Sequence, residues 1–256
     1  MNFLEKLKKA SKKNKSSLCI GLDPDISKIP EHYLDGDDPL FNFSKQIVDQ
    51  TKDLVCAYKP NLAFYSMHAI YGIKSLTKIM GYIHAETDIP VILDAKCGDT
   101  GHTATAYAKA IFEFYNADAT TINPYMGFDT VKPFLQLQYK DKFVFILCLT
   151  SNQSAQDFEK DIYQKVARAV VNWNDDKVLG LVVGATNQEA LIKIAQIVPE
   201  DLPRLIPGIG AQGGDVKSAV KYGGKLPVIN ASRSIIYAEN PRKAAEELRK
   251  QISKVG

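Results

Sequence analysis

Short apolar runs alternate with amphipathic stretches along the whole chain. Eight of these runs are rich in Val, Ile and Leu without a clean apolar–polar alternation, as expected of parallel strands that are buried on both faces. The predicted strands are residues 18–22, 55–59, 91–95, 119–122, 143–149, 178–183, 204–206 and 228–230.

The segments between the strands have the periodicity of helices. After Thr103, apolar side chains recur at positions 104, 107, 108, 111, 112 and 115, which places them on one helical face. Asn240 followed by Pro241 is a favourable helix start, and this last helix is predicted to run toward Ile252. Further helices are predicted at residues 43–51, 68–86, 130–137, 157–172, 188–197 and 215–222.

Eight strand–helix units in 256 residues predict an α/β fold of the TIM (β/α)8 barrel type. Residues 1–256 are predicted to form a single barrel domain, with a short amphipathic helix at about residues 2–14 ahead of the first strand. A doubly wound open sheet is the alternative fold. The Pro- and Asp-rich residues 24–39 are predicted to be a long loop after the first strand.

Composition and charge exclude several classes of partner. A net charge of +3 is too small to indicate nucleic acid binding. No apolar stretch reaches the roughly 18–20 residues that a membrane span needs. The four cysteines are widely spaced, without a C-x-x-C pair, which favours reduced thiols and a cytoplasmic protein.

Three ionisable residues of alternating sign follow the third predicted strand. Asp94 and Lys96 should point to the same side of that strand, because side chains alternate between its faces. Asp99 lies in the loop beyond and is free to point back at the pair or across to a neighbouring subunit. Burying such a cluster is costly unless the charges neutralise one another, and this cost usually marks chemistry. The alternative is a strand end whose charges are solvated.

Polar residues also close the other predicted strands. In a barrel these strand ends meet at one rim, where barrel active sites form. The residues concerned are Asp23, Lys59, Asn61, Asp94, Lys96, Asn123, Thr150, Ser151, Gly184, residues 207–210, Ser232 and Arg233.

A glycine-rich segment, residues 207–215, has the character of a phosphate site. Gly208, Gly210 and Gly213 let backbone amides approach an anion, and the helix that follows offers its positive N-terminus. The three glycines satisfy G-x-G-x-x-G, but the position about 20 residues on carries Arg233 instead of the acid that a dinucleotide site uses. Arg suits bidentate phosphate binding. A tight glycine turn with an exposed Arg is the alternative.

Taken together, these residues resemble the orotidine 5′-phosphate decarboxylase family, in the version that reads D-A-K-x-G-D. The resemblance covers residues 18 to about 240. The motifs that carry it are G-L-D-P-D at 21–25, Y-K-P-N at 58–61, D-A-K-C-G-D-T-G at 94–101, N-P-Y-M-G at 123–127, P-G-I-G-A-Q-G-G-D at 207–215 and A-S-R-S at 231–234.

The resemblance implies a set of residue roles. The catalytic network would consist of Lys59, Asp94, Lys96 and Asp99. Asp99 and Thr103 would reach the active site of the partner subunit, which implies a homodimer. The remaining implied substrate contacts are Asp23 to a ribose hydroxyl, Thr150 and Ser151 to the pyrimidine edge, and Gly210, Gln212 and Arg233 to the phosphate.

The implied activity is decarboxylation of orotidine 5′-phosphate to UMP in de novo pyrimidine biosynthesis. It would need no metal and no organic cofactor, and Lys96 would donate the proton to C6. The expected form is the stand-alone one, without an attached orotate phosphoribosyltransferase domain. Two positions depart from the pattern: Cys97 stands where an arginine is common, and Thr100 where an aliphatic residue is usual.

Three other functions stay open. A Mg²⁺-dependent sugar-phosphate decarboxylase or hexulose-phosphate synthase would need a further carboxylate among the strand ends. An aldolase that forms a Schiff base on Lys96 would need a lowered lysine pKa, which two flanking aspartates oppose. Outside catalysis, the chain could be a nucleotide-binding sensor.

Overall fold

A computed structural model describes residues 1–210 and 213–255 and confirms the TIM barrel. Eight parallel strands are hydrogen-bonded in the order β2-β1-β8-β7-β6-β5-β4-β3. The strands are β1 Leu18–Leu22, β2 Ala57–Pro60, β3 Ile92–Cys97, β4 Ala119–Ile122, β5 Phe143–Leu149, β6 Leu179–Val183, β7 Arg204–Ile206 and β8 Val228–Ala231.

Helices surround the barrel. They are α1 Phe3–Asn14, α2 Pro39–Thr51, α3 Leu62–Ser66, α4 Ala69–Glu86, α5 Gly101–Lys109, α6 Phe128–Val131, α7 Glu159–Trp173, α8 Gln188–Ile197, α9 Val216–Tyr222, α10 Arg233–Ile236 and α11 Pro241–Ser253. A π-helical stretch, Ala110–Phe114, extends α5, and 3-10 turns lie at Glu31–Tyr33, Lys132–Leu135, Leu137–Tyr139 and Gln153–Asp157. Within the described residues, none of the helices combines the length and apolar character that a membrane span requires.

The helix predicted at residues 130–137 is wrong in its extent. Helix α6 ends at Val131, and two separate 3-10 turns follow it. Pro133 lies in the first of these turns and has no N–H to donate, so it cannot continue α-helical hydrogen bonding.

Helix α1 closes the amino-terminal end of the barrel. Asn2 caps it: the Asn2 side-chain oxygen accepts from the Glu5 amide, and the Asn2 amide donates to the Glu5 carboxylate. Phe3 enters the barrel interior, where its ring stacks on Phe143 at a centroid distance of 4.9 Å. Lys6 is fixed by Asp118, with Nζ 2.6 Å from Oδ1. Because this end is filled, a ligand has access to the interior from the carboxyl ends of the strands.

The barrel interior changes from apolar to polar toward that open end. Apolar side chains form the inner layer, and the residue two positions further along each strand faces the same way. In four strands the residue two positions after the apolar one is polar or charged. The pairs are Ala57 and Lys59, Ile92 and Asp94, Ala119 and Thr121, and Val228 and Asn230.

The barrel closes between β2 and β3 through isolated bridges. Tyr58 pairs with Val91 and Asn61 with Asp94, and the Tyr58 amide donates to the Pro90 carbonyl at 3.1 Å. This junction is where the two strands that carry Lys59 and Asp94 meet.

Candidate active site

Two lysines hold one buried carboxylate at the barrel rim. Lys59 Nζ lies 2.8 Å from Asp94 Oδ2, and Lys96 Nζ lies 2.6 Å from Asp94 Oδ1. Lys59 and Asp94 are 4% and 7% exposed, whereas the Lys96 side chain is 44% exposed. Lys59, Asp94 and Lys96, here called the charged row, therefore carry one net positive charge, and the accessible end of the row is Lys96.

The pKa values of the buried pair move in the directions that keep both groups charged. Burial alone would raise the pKa of Asp94, but the charges of Lys59 and Lys96 outweigh it and hold that pKa below its usual range. Burial would likewise lower the pKa of Lys59, but the nearby carboxylates of Asp94 and Asp23 raise it overall. The pair stays ionised at neutral pH.

Thr121 completes the carboxylate's surroundings, and its role was not predicted from the sequence. Its hydroxyl donates to Asp94 Oδ1 at 2.8 Å. Asn61 Nδ2 lies 3.5 Å from Asp94 Oδ2, at the limit of a hydrogen bond. The feature of the sequence that could have indicated this role is the alternation of side chains along β4, which places Thr121 on the same inner face as Ala119.

A cavity of about 360 Å³ opens in front of the charged row. This volume lies at the lower end of the range typical of small-molecule sites. The residues that line it come from strand ends around the whole rim: Asp23, Lys59, Asn61, Asp94, Lys96, Thr121, Thr150, Ser151, Asn152, Val182, Leu205, Pro207, Gly208, Ile209, Asn230, Ser232, Arg233 and Ser234.

Two of the residues that line this cavity have a buried acceptor atom without a protein donor among the described residues. These atoms are Oδ1 of Asp23 and Oδ1 of Asn230. The Asp23 backbone is held in place because the Tyr237 hydroxyl donates to its carbonyl at 3.0 Å. Buried acceptors without a partner are costly, so a rearrangement that brings a donor to either oxygen would be favoured. Asn230 was not predicted from the sequence.

Thr150 and Ser151 form a turn that is fixed from two sides. The Thr150 amide donates to Glu159 Oε2 at 2.6 Å, and the Thr150 hydroxyl lies 2.9 Å from both oxygens of that carboxylate. On the other side, a Cβ at Gly184 would lie 2.8 Å from the Ser151 amide nitrogen. Only glycine permits this close approach of β6 to the turn.

The predicted phosphate end is partly described. Gly208 and Gly210 have φ values of 101° and 84°, which favour glycine, and the exposed Arg233 lines the cavity. Gly210 itself is exposed and is not among the cavity-lining residues. Gln212 lies outside the described residues.

The expectation that helix α9 offers its N-terminus to an anion is wrong. Asp215 caps this helix, and its carboxylate accepts from the amides of Lys217 and Ser218 at 3.1 and 2.9 Å. A carboxylate already occupies the place where an anion would bind.

Asp99 and Thr103 lie away from the cavity of their own chain. Neither is a lining residue, and Thr103 is exposed at the start of α5. One Asp99 oxygen accepts from the Thr100 amide at 2.7 Å. The structure thus brings Lys59, Asp94 and Lys96 together, and Asp99 and Thr103 do not line the cavity with them.

The described residues were also compared with the arrangements that metal ions and reactive thiols require. Residues 1–210 and 213–255 contain no group of three or more His, Cys, Asp and Glu side chains arranged to hold a metal ion. All four cysteines are free and buried. Burial raises the pKa of Cys97 to about 11 and that of Cys19 to about 12, so these thiols are poor nucleophiles at neutral pH.

Comparisons of the sequence and of the fold with known proteins all point to the same family. The family model described as "Orotidine 5′-phosphate decarboxylase / HUMPS family" matches residues 16–248. The chain is 46% identical to orotidine 5′-phosphate decarboxylase of Cupriavidus necator, over 97% of this chain and 94% of that protein. It is 45% identical to the protein of the same name from Flavobacterium johnsoniae, over 94% and 91%. The solved Leishmania donovani OMP decarboxylase superposes with a TM-score of 0.87 at 36% identity, covering 100% of this chain and 98% of that one.

Proposed function

Since this chain belongs to the orotidine 5′-phosphate decarboxylase / HUMPS family, we propose that its charged row decarboxylates orotidine 5′-phosphate without a cofactor and that Lys96 donates the proton. The activity itself, decarboxylation of orotidine 5′-phosphate in pyrimidine biosynthesis, is that of its curated relatives and of this enzyme. The observation that carries the mechanism is the position of Lys96 Nζ, 2.6 Å from Asp94 Oδ1 and facing the cavity.

The reaction requires stabilisation of a localised anion. When CO2 leaves C6 of the pyrimidine, the electron pair of the broken bond stays on that carbon in the ring plane. An ammonium held beside the carbon stabilises this charge electrostatically and then transfers a proton to it, which gives UMP. Lys96 suits this role because its amine is a compact charge with transferable protons and is the accessible end of the row.

Asp94 and Lys59 prepare Lys96 for this step. Asp94 is fixed by Lys59 from behind, so its second oxygen can orient the Lys96 ammonium. Because these dipoles and charges are in place before the substrate arrives, little reorganisation is needed as the anion forms.

The rest of the cavity supplies binding. Asp23, which lines the cavity, would accept a hydrogen bond from a ribose hydroxyl. The turn of Thr150 and Ser151 would contact the pyrimidine edge, and Arg233 the phosphate. Gly210 and Gln212 are proposed to complete the phosphate site. Binding energy from the phosphate, remote from C6, can then be used to organise the site around the reacting carbon.

A homodimer is the assembly that gives Asp99 and Thr103 a role. Both side chains lie outside the cavity of their own chain, on the loop that follows β3. We propose that they enter the cavity of a partner subunit, where Asp99 would extend the charged row and Thr103 would contact the ribose. Each active site would then contain residues of two chains.

Lys96→Ala and Lys96→Arg test the mechanism. Lys96→Ala should lower kcat by at least about 10²–10⁴-fold while UMP binding, measured by calorimetry, stays detectable. Lys96→Arg keeps the charge but should remain strongly impaired, because a guanidinium does not give up its proton readily. Decarboxylation is followed by absorbance.

Two results would contradict the proposal. Appreciable turnover by Lys96→Ala would exclude Lys96 as the proton donor. Loss of wild-type turnover after treatment with EDTA would favour a metal-dependent reaction instead.

A further inference from the structure

Strand β3 is irregular at the residues that carry the charged row. Ile92 and Leu93 pair with Ala119 and Thr120 of β4, but the next pair is Cys97 with Ile122. Three residues of β3, positions 94–96, therefore lie opposite one residue of β4, which is Thr121. Such bulges re-aim side chains next to active sites.

The bulge places Lys96 in an unusual backbone conformation. Its φ is 48°, in the left-handed region that residues with a Cβ rarely adopt. A residue in this region persists only when its surroundings hold it there. The conformation matters because it sets the direction in which the Lys96 side chain leaves the strand.

The Thr121 hydroxyl bonds to both sides of this bulge. It accepts a hydrogen bond from the Lys96 amide at 3.0 Å and donates one to Asp94 Oδ1 at 2.8 Å. Asp94 Oδ1 is the same oxygen that accepts from the Lys96 ammonium. Thr121 is only 1% exposed, and β4 pairs with β5 in an uninterrupted register at this residue. The position of its hydroxyl is therefore well defined.

We propose that Thr121 is a positioning residue for the reaction: its hydroxyl holds the backbone of Lys96 and the carboxylate of Asp94 in one geometry, and thereby aims the Lys96 ammonium. This inference rests on the proposed function of Lys96. One hydroxyl group serves both the main chain and the side-chain partner of the same lysine, so its loss releases two constraints at once. The ammonium would still be present and charged but would be less well placed.

Thr121→Val tests this role, because valine has the shape of threonine without the hydroxyl. Thr120→Val is the matched control: Thr120 is the preceding residue of β4, is equally buried, and donates a single hydrogen bond to the Leu93 carbonyl at 2.9 Å. Thr121→Ser, which restores the hydroxyl, is the rescue variant. If Thr121→Val does not fold, Thr121→Ala takes its place.

The expected result separates positioning from a purely structural effect. Thr121→Val should lower kcat by about 10- to 100-fold with little change in KM or UMP affinity, since a displaced catalytic group costs rate more than binding. Thr121→Ser should recover most of the rate, and Thr120→Val should retain it. In nitrogen-15 spectra, the Lys96 ammonium signal should shift in Thr121→Val and not in Thr120→Val.

Three outcomes would overturn the inference. These are a kcat of Thr121→Val within twofold of the wild type, an equal loss in Thr120→Val, or no recovery in Thr121→Ser. Failure of the proposed function looks different, because the wild type itself would then lack turnover or Lys96→Ala would retain it. In that case the nitrogen-15 signal of Lys96 still decides whether Thr121 positions the lysine.

Discussion

Replacing Asp94 with Asn should destabilise the folded protein by about 3–5 kcal/mol, because it removes the carboxylate that pairs directly with the buried ammonium of Lys59. The change is nearly isosteric, so it removes charge without creating a cavity. It alters the one carboxylate that lies between two lysines. The barrel should remain folded, since a loss of this size is within the stability range of typical domains.

The magnitude follows from the geometry of the pair. Lys59 Nζ and Asp94 Oδ2 are 2.8 Å apart, and their side chains are 5% and 8% exposed. At an effective dielectric constant of about 20, this distance corresponds to an attraction of about 6 kcal/mol. Part of that energy offsets the desolvation of the two ions, which leaves the smaller net effect. Lys96 adds little, because its side chain is 44% exposed and solvent screens its charge.

The effect should depend on pH in a defined direction. The pKa of Asp94 is below its usual range, so its stabilisation is complete above the unfolded value of about 3.9 and is lost as the pH falls further. The pKa of Lys59 is raised, so its contribution is complete below the unfolded value of about 10.4 and is lost as the pH rises beyond it. The stability difference between wild type and Asp94→Asn should therefore be constant from about pH 5 to pH 9 and narrow in acid.

Urea denaturation at a series of pH values measures this difference. Asp53→Asn is the matched control, because Asp53 pairs with Arg242 at the same distance of 2.8 Å but with side chains that are 57% and 43% exposed. That variant should lose less than about 1 kcal/mol. The double variant Lys59→Met/Asp94→Asn removes both buried charges and should be more stable than Asp94→Asn alone.

Two observations would refute this reasoning. One is a loss in Asp94→Asn no larger than that in Asp53→Asn. The other is a double variant that is less stable than Asp94→Asn, which would mean that Lys59 is not left unpaired by the single change.

The remaining predictions concern the rim. Gly184→Ala should raise KM and destabilise the protein by about 1–3 kcal/mol, because its Cβ would lie 2.8 Å from the backbone of Ser151. Gly81→Ala, in a helix with no atom within 4 Å of the added Cβ, should instead be neutral or slightly stabilising in thermal denaturation. Mixing inactive Asp99→Ala with inactive Lys96→Ala subunits should restore about a quarter of the wild-type activity. With random pairing, about half of the dimers are hybrids, and each hybrid has one intact site out of two. A mixture that stays as inactive as its parents would show that Asp99 does not act across subunits.

Much of the barrel could be read from the apolar runs. The predicted bounds of β1, β4, β5 and β7 are those of the structure, because runs buried on both faces have sharp ends where polar residues begin. The segment at residues 130–137 was predicted less well, since its apolar spacing suits a helix whereas Pro133 interrupts the hydrogen bonding.

The candidate site shows where reasoning from periodicity ends. Asp94 and Lys96 do lie together, as alternation along a strand predicts, but Lys96 reaches its position through a bulge and a left-handed backbone. Bulges depend on the pairing of two strands and leave no clear mark in one of them. Thr121 was missed for the same reason, because its importance comes from lying opposite that bulge. The homodimer and the cytoplasmic location stay predictions.

The closure between β2 and β3 has a consequence for how this protein can evolve. Active-site charges usually weaken a fold, and substitutions that remove them often make an enzyme sturdier at the expense of its activity. Here the ion pair of Lys59 and Asp94 spans the two strands that are otherwise joined by isolated bridges. Selection for stability and selection for catalysis therefore both favour keeping these two side chains. A substitution of either one would reduce stability and activity together.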